Sequence, residues 1–144
     1  MRLQTASQVI NFAMQLEENL FKLYESLAKS YPEKKDIFLF FARENKKNKT
    51  LIQRVYHEVV SDALETGFSF EGLNVDEKFF EINFSQDDKL STILNNLLDI
   101  EERIQNFYQD VALKSKSFLA DVPRAFEIIA KKKEERKQKI KSVI

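Results

Sequence analysis

Four stretches of this chain place apolar residues at every third or fourth position, and a polar residue breaks each stretch near its middle. The first reads Ile10, Ala13, Glu17, Leu20, Tyr24, Leu27. The second reads Phe38, Phe41, Asn45, Asn48, Ile52, Val55, Val59. The third reads Leu94, Leu97, Glu101, Ile104, Tyr108, Val111, and the fourth Phe126, Ile129, Lys133, Arg136, Ile140, Val143. The spacing is that of one face of an α-helix, which buries its apolar stripe against a neighbour. An unpaired charge on such a stripe costs several kcal/mol, about 3–5 where a buried pair is broken. The six polar side chains, all mid-helix, are therefore expected to meet at one level and satisfy one another.

The stripes predict helices over Ala6–Lys29, Glu33–Leu64, Asp88–Lys114 and Asp121 to the C-terminus. Thr5 and Gln8 have capping-box spacing before the first. Ser30, Pro32 and Glu33 offer a cap, a first-turn proline and a capping-box acid for the second, and Asp121 and Pro123 open the fourth. With two Gly and two Pro in 144 residues, the chain lacks the turn residues of an all-β protein. It has no cysteine, which excludes disulfides and thiolate sites. Between the second and third helices, residues 66–87 hold Phe68, Phe70, Phe79, Phe80 and Phe84 without a period, and read as a packed crossover. Two hairpins and one long connection make an antiparallel four-helix bundle in a single domain over residues 1–144.

The two halves resemble each other. Residues 10–28 align with 94–112 at an offset of 84, with Asn11/Asn95, Glu17/Glu101, Glu18/Glu102, Tyr24/Tyr108 and Ala28/Ala112 identical. The second and fourth helices align at an offset of 88 through Phe38/Phe126, Ala42/Ala130, Lys49/Lys137, Ile52/Ile140 and Val55/Val143. An internal duplication accounts for this pairing.

The order and spacing resemble the ferritin-like superfamily, closest to the rubrerythrin-type di-iron carboxylate proteins, over all four helices. That resemblance implies one ligand Glu on the first and third helices and a Glu-x-x-His on the second and fourth. Glu17 in LEENLFKLY and Glu101 in IEERIQNFY match the first- and third-helix ligands. Tyr24, and Phe107 with Tyr108, follow as the family's aromatics do. The other two motifs depart from the pattern. In the register set by Ala42 and Ala130, Glu-x-x-His becomes Asn45-x-x-Asn48 and Lys133-x-x-Arg136. The single histidine, His57, lies two turns too far along. Glu17, Glu101, Lys133 and Arg136 sum to zero charge, so the two cationic side chains are expected to stand where the family holds two metal ions.

The resemblance then implies a non-catalytic ferritin-like protein that has lost its di-iron site and serves as an interaction or structural module, without a metal or other cofactor. The alternative is an iron- or manganese-binding oxidoreductase with a rearranged site, its ligands drawn from Glu17, Glu44, Glu101 and Glu134; Glu135 also lies near the register. Tyr24 and Tyr108 would be redox-active beside a metal and core aromatics otherwise. Self-association or a protein partner is expected. No apolar run spans a membrane, and the acidic N-terminal stretch does not read as a signal peptide, so a cytoplasmic setting is expected. Zero formal net charge gives no bulk attraction to nucleic acid. The run KKKEERKQKIK on the fourth helix is expected to be a solvated helix end, Lys137 included, with a patch for an acidic partner or nucleic acid as its functional alternative.

Overall fold

The computed structural model describes residues 5–61, 88–115 and 121–144, and every regular element among them is helical. Helix α1 spans Ala6–Ser30, α2 Lys35–Ser61, α3 Leu90–Ser115 and α4 Asp121–Val143. The expected crossover at residues 66–87 and the expected last turn of the second helix lie outside the described residues. No described helix is long and apolar enough to cross a membrane.

The start of α1 follows from its cap. The Gln8 backbone N–H donates to Thr5 Oγ1 at 3.1 Å, and the Thr5 N–H donates to Gln8 Oε1 at 3.2 Å. Two backbone donors that lack a partner inside the helix are thereby satisfied. The start of the second helix differs from expectation. Ser30 is the last residue of α1, and a single 3₁₀ turn, Pro32–Lys34, precedes α2. Tyr31 forms the junction, its N–H donating to the Leu27 carbonyl at 2.8 Å, with no side-chain cap on the turn that follows. Once α1 continues through Ser30, that hydroxyl is no longer placed ahead of the next helix. The fixed φ of Pro32 still opens the turn.

The chain divides into two compact units, one built on α1 and α2, the other on α3 and α4. In the first, α2 runs back antiparallel along α1, and Tyr24 packs edge-on to Phe41 with ring centroids 5.3 Å apart and tilted to Phe38 at 6.1 Å. In the second, Tyr108 packs edge-on to Phe126 at 5.2 Å. Such pairs contribute about 0.5–1.5 kcal/mol beyond the area they bury. Tyr24–Phe38 and Tyr108–Phe126 are the same pair in the repeat, displaced by 84 and 88 residues.

Candidate functional site

All six mid-helix polar residues are buried: Glu17, Asn45, Asn48, Glu101 and Lys133 completely, Arg136 to within 1%. In the first hairpin, Asn48 Nδ2 on α2 donates a 2.7 Å hydrogen bond to Glu17 Oε1 on α1. Asn45, one turn earlier on α2, is buried on the same face. In the second hairpin, Glu101 on α3 is held by two cations from α4. Arg136 donates to Glu101 Oε1 at 2.9 Å, and Lys133 Nζ lies 3.1 Å from Glu101 Oε2.

The two constellations occupy one register. Glu17 and Glu101 are equivalent in the repeat, as are Asn48 and Arg136. The partner beside the glutamate is therefore a neutral amide in one hairpin and a guanidinium in the other. At these positions the first hairpin buries one carboxylate and two amides, and the second one carboxylate and two cations. An ion in a low-dielectric interior needs both a counter-charge and hydrogen bonds. Around Glu101 both are supplied locally.

A second pair of contacts flanks each buried glutamate. Lys49 Nζ donates to Glu18 Oε2 at 3.0 Å, and Lys137 Nζ lies 3.7 Å from Glu102 Oε1. These four residues are identical in the repeat, an identity that reads in the sequence only as duplication and not as a contact. Lys137 departs from the expected solvated position. It is only 9% exposed, and it also pairs with Glu134 at 2.9 Å. The hydrogen bond from Lys137 is the first cause that lowers the Glu134 carboxyl from 4.5 to about 2; bonds from Gln138 and Gln105 add to it. Glu18 is likewise lowered, first by its hydrogen bond from Lys49. Gln105, buried one turn after Glu101, is a member of this network that the stripe pattern did not single out, because it sits beside the stripe rather than on it.

The residues at the family's ligand positions do not fit a di-metal centre. A metal ion on the Glu101 carboxylate would stand within a few ångströms of the Lys133 ammonium and the Arg136 guanidinium, and like charges at that range repel strongly away from water. The off-register acids are placed elsewhere: Glu44 is half-buried on α2, and Glu134 is engaged by Lys137. Among the described residues, no three His, Asp or Glu side chains are grouped so as to hold a metal ion. His57 is exposed, its ring 5.9 Å from that of Tyr56. Tyr24 and Tyr108 are fully buried among phenylalanines. Comparison with protein-family models, with curated proteins and with solved structures gives no match for this chain.

Proposed function

We infer that this chain is a ferritin-like, rubrerythrin-type bundle in which internal ion pairs have replaced a di-iron centre, and that it acts as a non-catalytic interaction or structural module. The observation that carries this reading is the clasp on Glu101: both carboxylate oxygens lie within 3.1 Å of cationic nitrogens from the two positions where the family's motif has Glu and His. The repeat supports it, because Glu17 and Glu101 keep the family's carboxylates in equivalent positions. At Glu101 the two cations of α4 leave no net negative charge for a metal ion to neutralise. What remains of the ancestral site is a polar layer that specifies how helices pair, a role that buried polar groups fill in other helical assemblies.

The test is elemental analysis of the protein after aerobic purification, and again after anaerobic loading with ferrous ion. The reading expects no stoichiometric iron, manganese or zinc in either sample. Two metal ions per chain would overturn it in favour of an oxidoreductase with a rearranged carboxylate site.

A further inference from the structure

Formal neutrality conceals an uneven distribution of charge. Residues 62–87 contain seven acids and one lysine, a net charge of −6, which leaves +6 on the rest of the chain. The basic run on α4 is not where that excess is most available. Lys133 and Arg136 are turned onto Glu101, and Lys137 onto Glu102 and Glu134. The outward residues that remain there are interspersed with Glu127 and Glu135.

Helix α2 is different. Between Phe40 and His57 its exposed charged residues are Arg43, Lys46, Lys47 and Arg54, and none of its exposed residues is acidic. Arg43, Lys47, Thr50 and Arg54 follow the i, i+4, i+7, i+11 order that puts side chains in one line. Arg43 to Arg54 spans about 16 Å of helix. Among the described residues, Arg43, Lys47 and Arg54 form no ion pair. Lys46 lies 4.8 Å above the Phe21 ring, and the Thr50 hydroxyl donates back to the Lys46 carbonyl. The acid on α2 nearest to Arg43, Glu44, is half-buried and roughly 100° round the helix from it, while Asp36 and Glu58 lie beyond the two ends of the row, before Phe40 and after His57.

We propose that this face of α2 binds the phosphodiester backbone of single-stranded nucleic acid. Its charged and amide groups are hydrogen-bond donors of the kind that contact phosphate oxygens: arginine, lysine and the Gln53 amide. A protein partner fits less well, since interface cores are depleted in charge and built on apolar anchors. This face has one such anchor, Phe40, at 39% exposure. A membrane surface fits less well too, because an interfacial helix needs a continuous apolar face. Phe40 and His57, near the two ends of the row, present rings on which unpaired bases stack; a base inside a duplex has no such face to offer. The inference does not depend on whether the buried layer ever held metal, and its failure would leave that reading untouched.

The experiment is fluorescence anisotropy of the whole chain with four labelled probes: short oligothymidylate, short oligouridylate, a duplex of the same length and a glutamate-rich peptide of equal charge. The two oligonucleotides distinguish DNA from RNA as the source of the backbone, and binding of either satisfies the proposal. Four phosphate contacts give a slope of log affinity against log salt of about −3, or roughly a fifty-fold loss between about 50 and 200 mM salt. R43E/K47E/R54E should bind more than about tenfold more weakly, whereas K131E/K132E/K141E, with the same change in net charge, should lose less than about threefold. F40A should cost about fivefold through lost stacking. Melting curves check that each variant folds, and R43Q/K47Q/R54Q gives the same loss without introducing new acids. The proposal is overturned if the duplex or the peptide binds as tightly as the single strands, if the two charge reversals act alike, or if no probe shows salt-dependent binding.

Discussion

Asn48 stands against Glu17 in the first hairpin where Arg136 stands against Glu101 in the second, each donating one short hydrogen bond from the returning helix to the buried carboxylate. Two copies of one hairpin pattern thus carry different chemistry at the same place. The difference decides what each pair is worth. An amide on a carboxylate supplies a hydrogen bond and no counter-charge, whereas a guanidinium supplies both.

Removing either cation from Glu101 should therefore be costly. Lys133→Ala and Arg136→Ala should each destabilise the fold by about 3 kcal/mol, the lower end of the range for a broken buried pair, because one cation remains in each case. Lys131→Ala, on an exposed position of the same helix, should change stability by less than about 0.5 kcal/mol. Urea unfolding at neutral pH measures all three. Equal midpoints for Lys133→Ala and Lys131→Ala would mean that the Lys133–Glu101 pair contributes nothing.

On the first hairpin, Asn48→Ala removes the 2.7 Å donor from a carboxylate that is wholly inside the protein. The expected loss is about 1.5–3 kcal/mol, the range for a hydrogen bond to a charged group. The variant Glu17→Gln/Asn48→Ala should lose less than the sum of its single substitutions, since without the charge the donor matters less. Strict additivity would show that the two side chains are not coupled.

The outer pairs make stability depend on acid. Glu134 is lowered to about 2 in the folded chain by the hydrogen bonds from Lys137, Gln138 and Gln105. A folded-state value below the unfolded one contributes stability that is complete above about pH 4.5 and is lost as pH falls towards about 2. Lys137→Met removes the leading cause. The titration midpoint of the Glu134 carboxyl, followed by NMR, should then move up towards 4.5, and the variant's stability should vary less over that window. A midpoint that stays near 2 would assign the shift to the glutamines instead.

Much of this arrangement is legible in the sequence, for a physical reason. The apolar stripes, the Thr5–Gln8 capping box and the six polar interruptions are local patterns, and the burial of those six follows from their place on the stripe. Identity between the halves reads as a duplication, and the Glu18–Lys49 and Glu102–Lys137 contacts join residues that match in that repeat. Three things were not legible. The junction at Tyr31 depends on how far α1 continues before Pro32. The burial of Lys137 depends on two acids, one of them on another helix, and a long aliphatic stem lets such a residue lie against the protein surface. The availability of the α2 cations follows only once each acid has been assigned its partner, because the run on α4 is richer in lysine and looks the stronger candidate.

The place of the layer can be tested by rebuilding it. Asn45→Glu, Asn48→His, Lys133→Glu and Arg136→His would place Glu-x-x-His on both α2 and α4, in the register that Ala42 and Ala130 set, as the proposed ferritin-like reading requires. Asn48 and Arg136 already touch the Glu17 and Glu101 carboxylates within their own hairpins. An imidazole at either position starts at a carboxylate rather than at an arbitrary point on the helix. The quadruple variant exchanges two buried cations and two amides for two more carboxylates and two imidazoles. Without metal, the clustered carboxylates repel and cannot all stay ionised, so the variant should melt below wild type. A metal ion that binds only the folded state stabilises it by mass action, by about 2.7 kcal/mol at a hundredfold excess over its dissociation constant. Thermal unfolding of both proteins under nitrogen, with and without ferrous or manganous ion, makes the comparison. Metal should raise the melting temperature of the variant and leave that of wild type unchanged. If the variant folds and gains nothing from metal, the register is not that of a ligand set, and the ferritin-like reading of this layer fails with it.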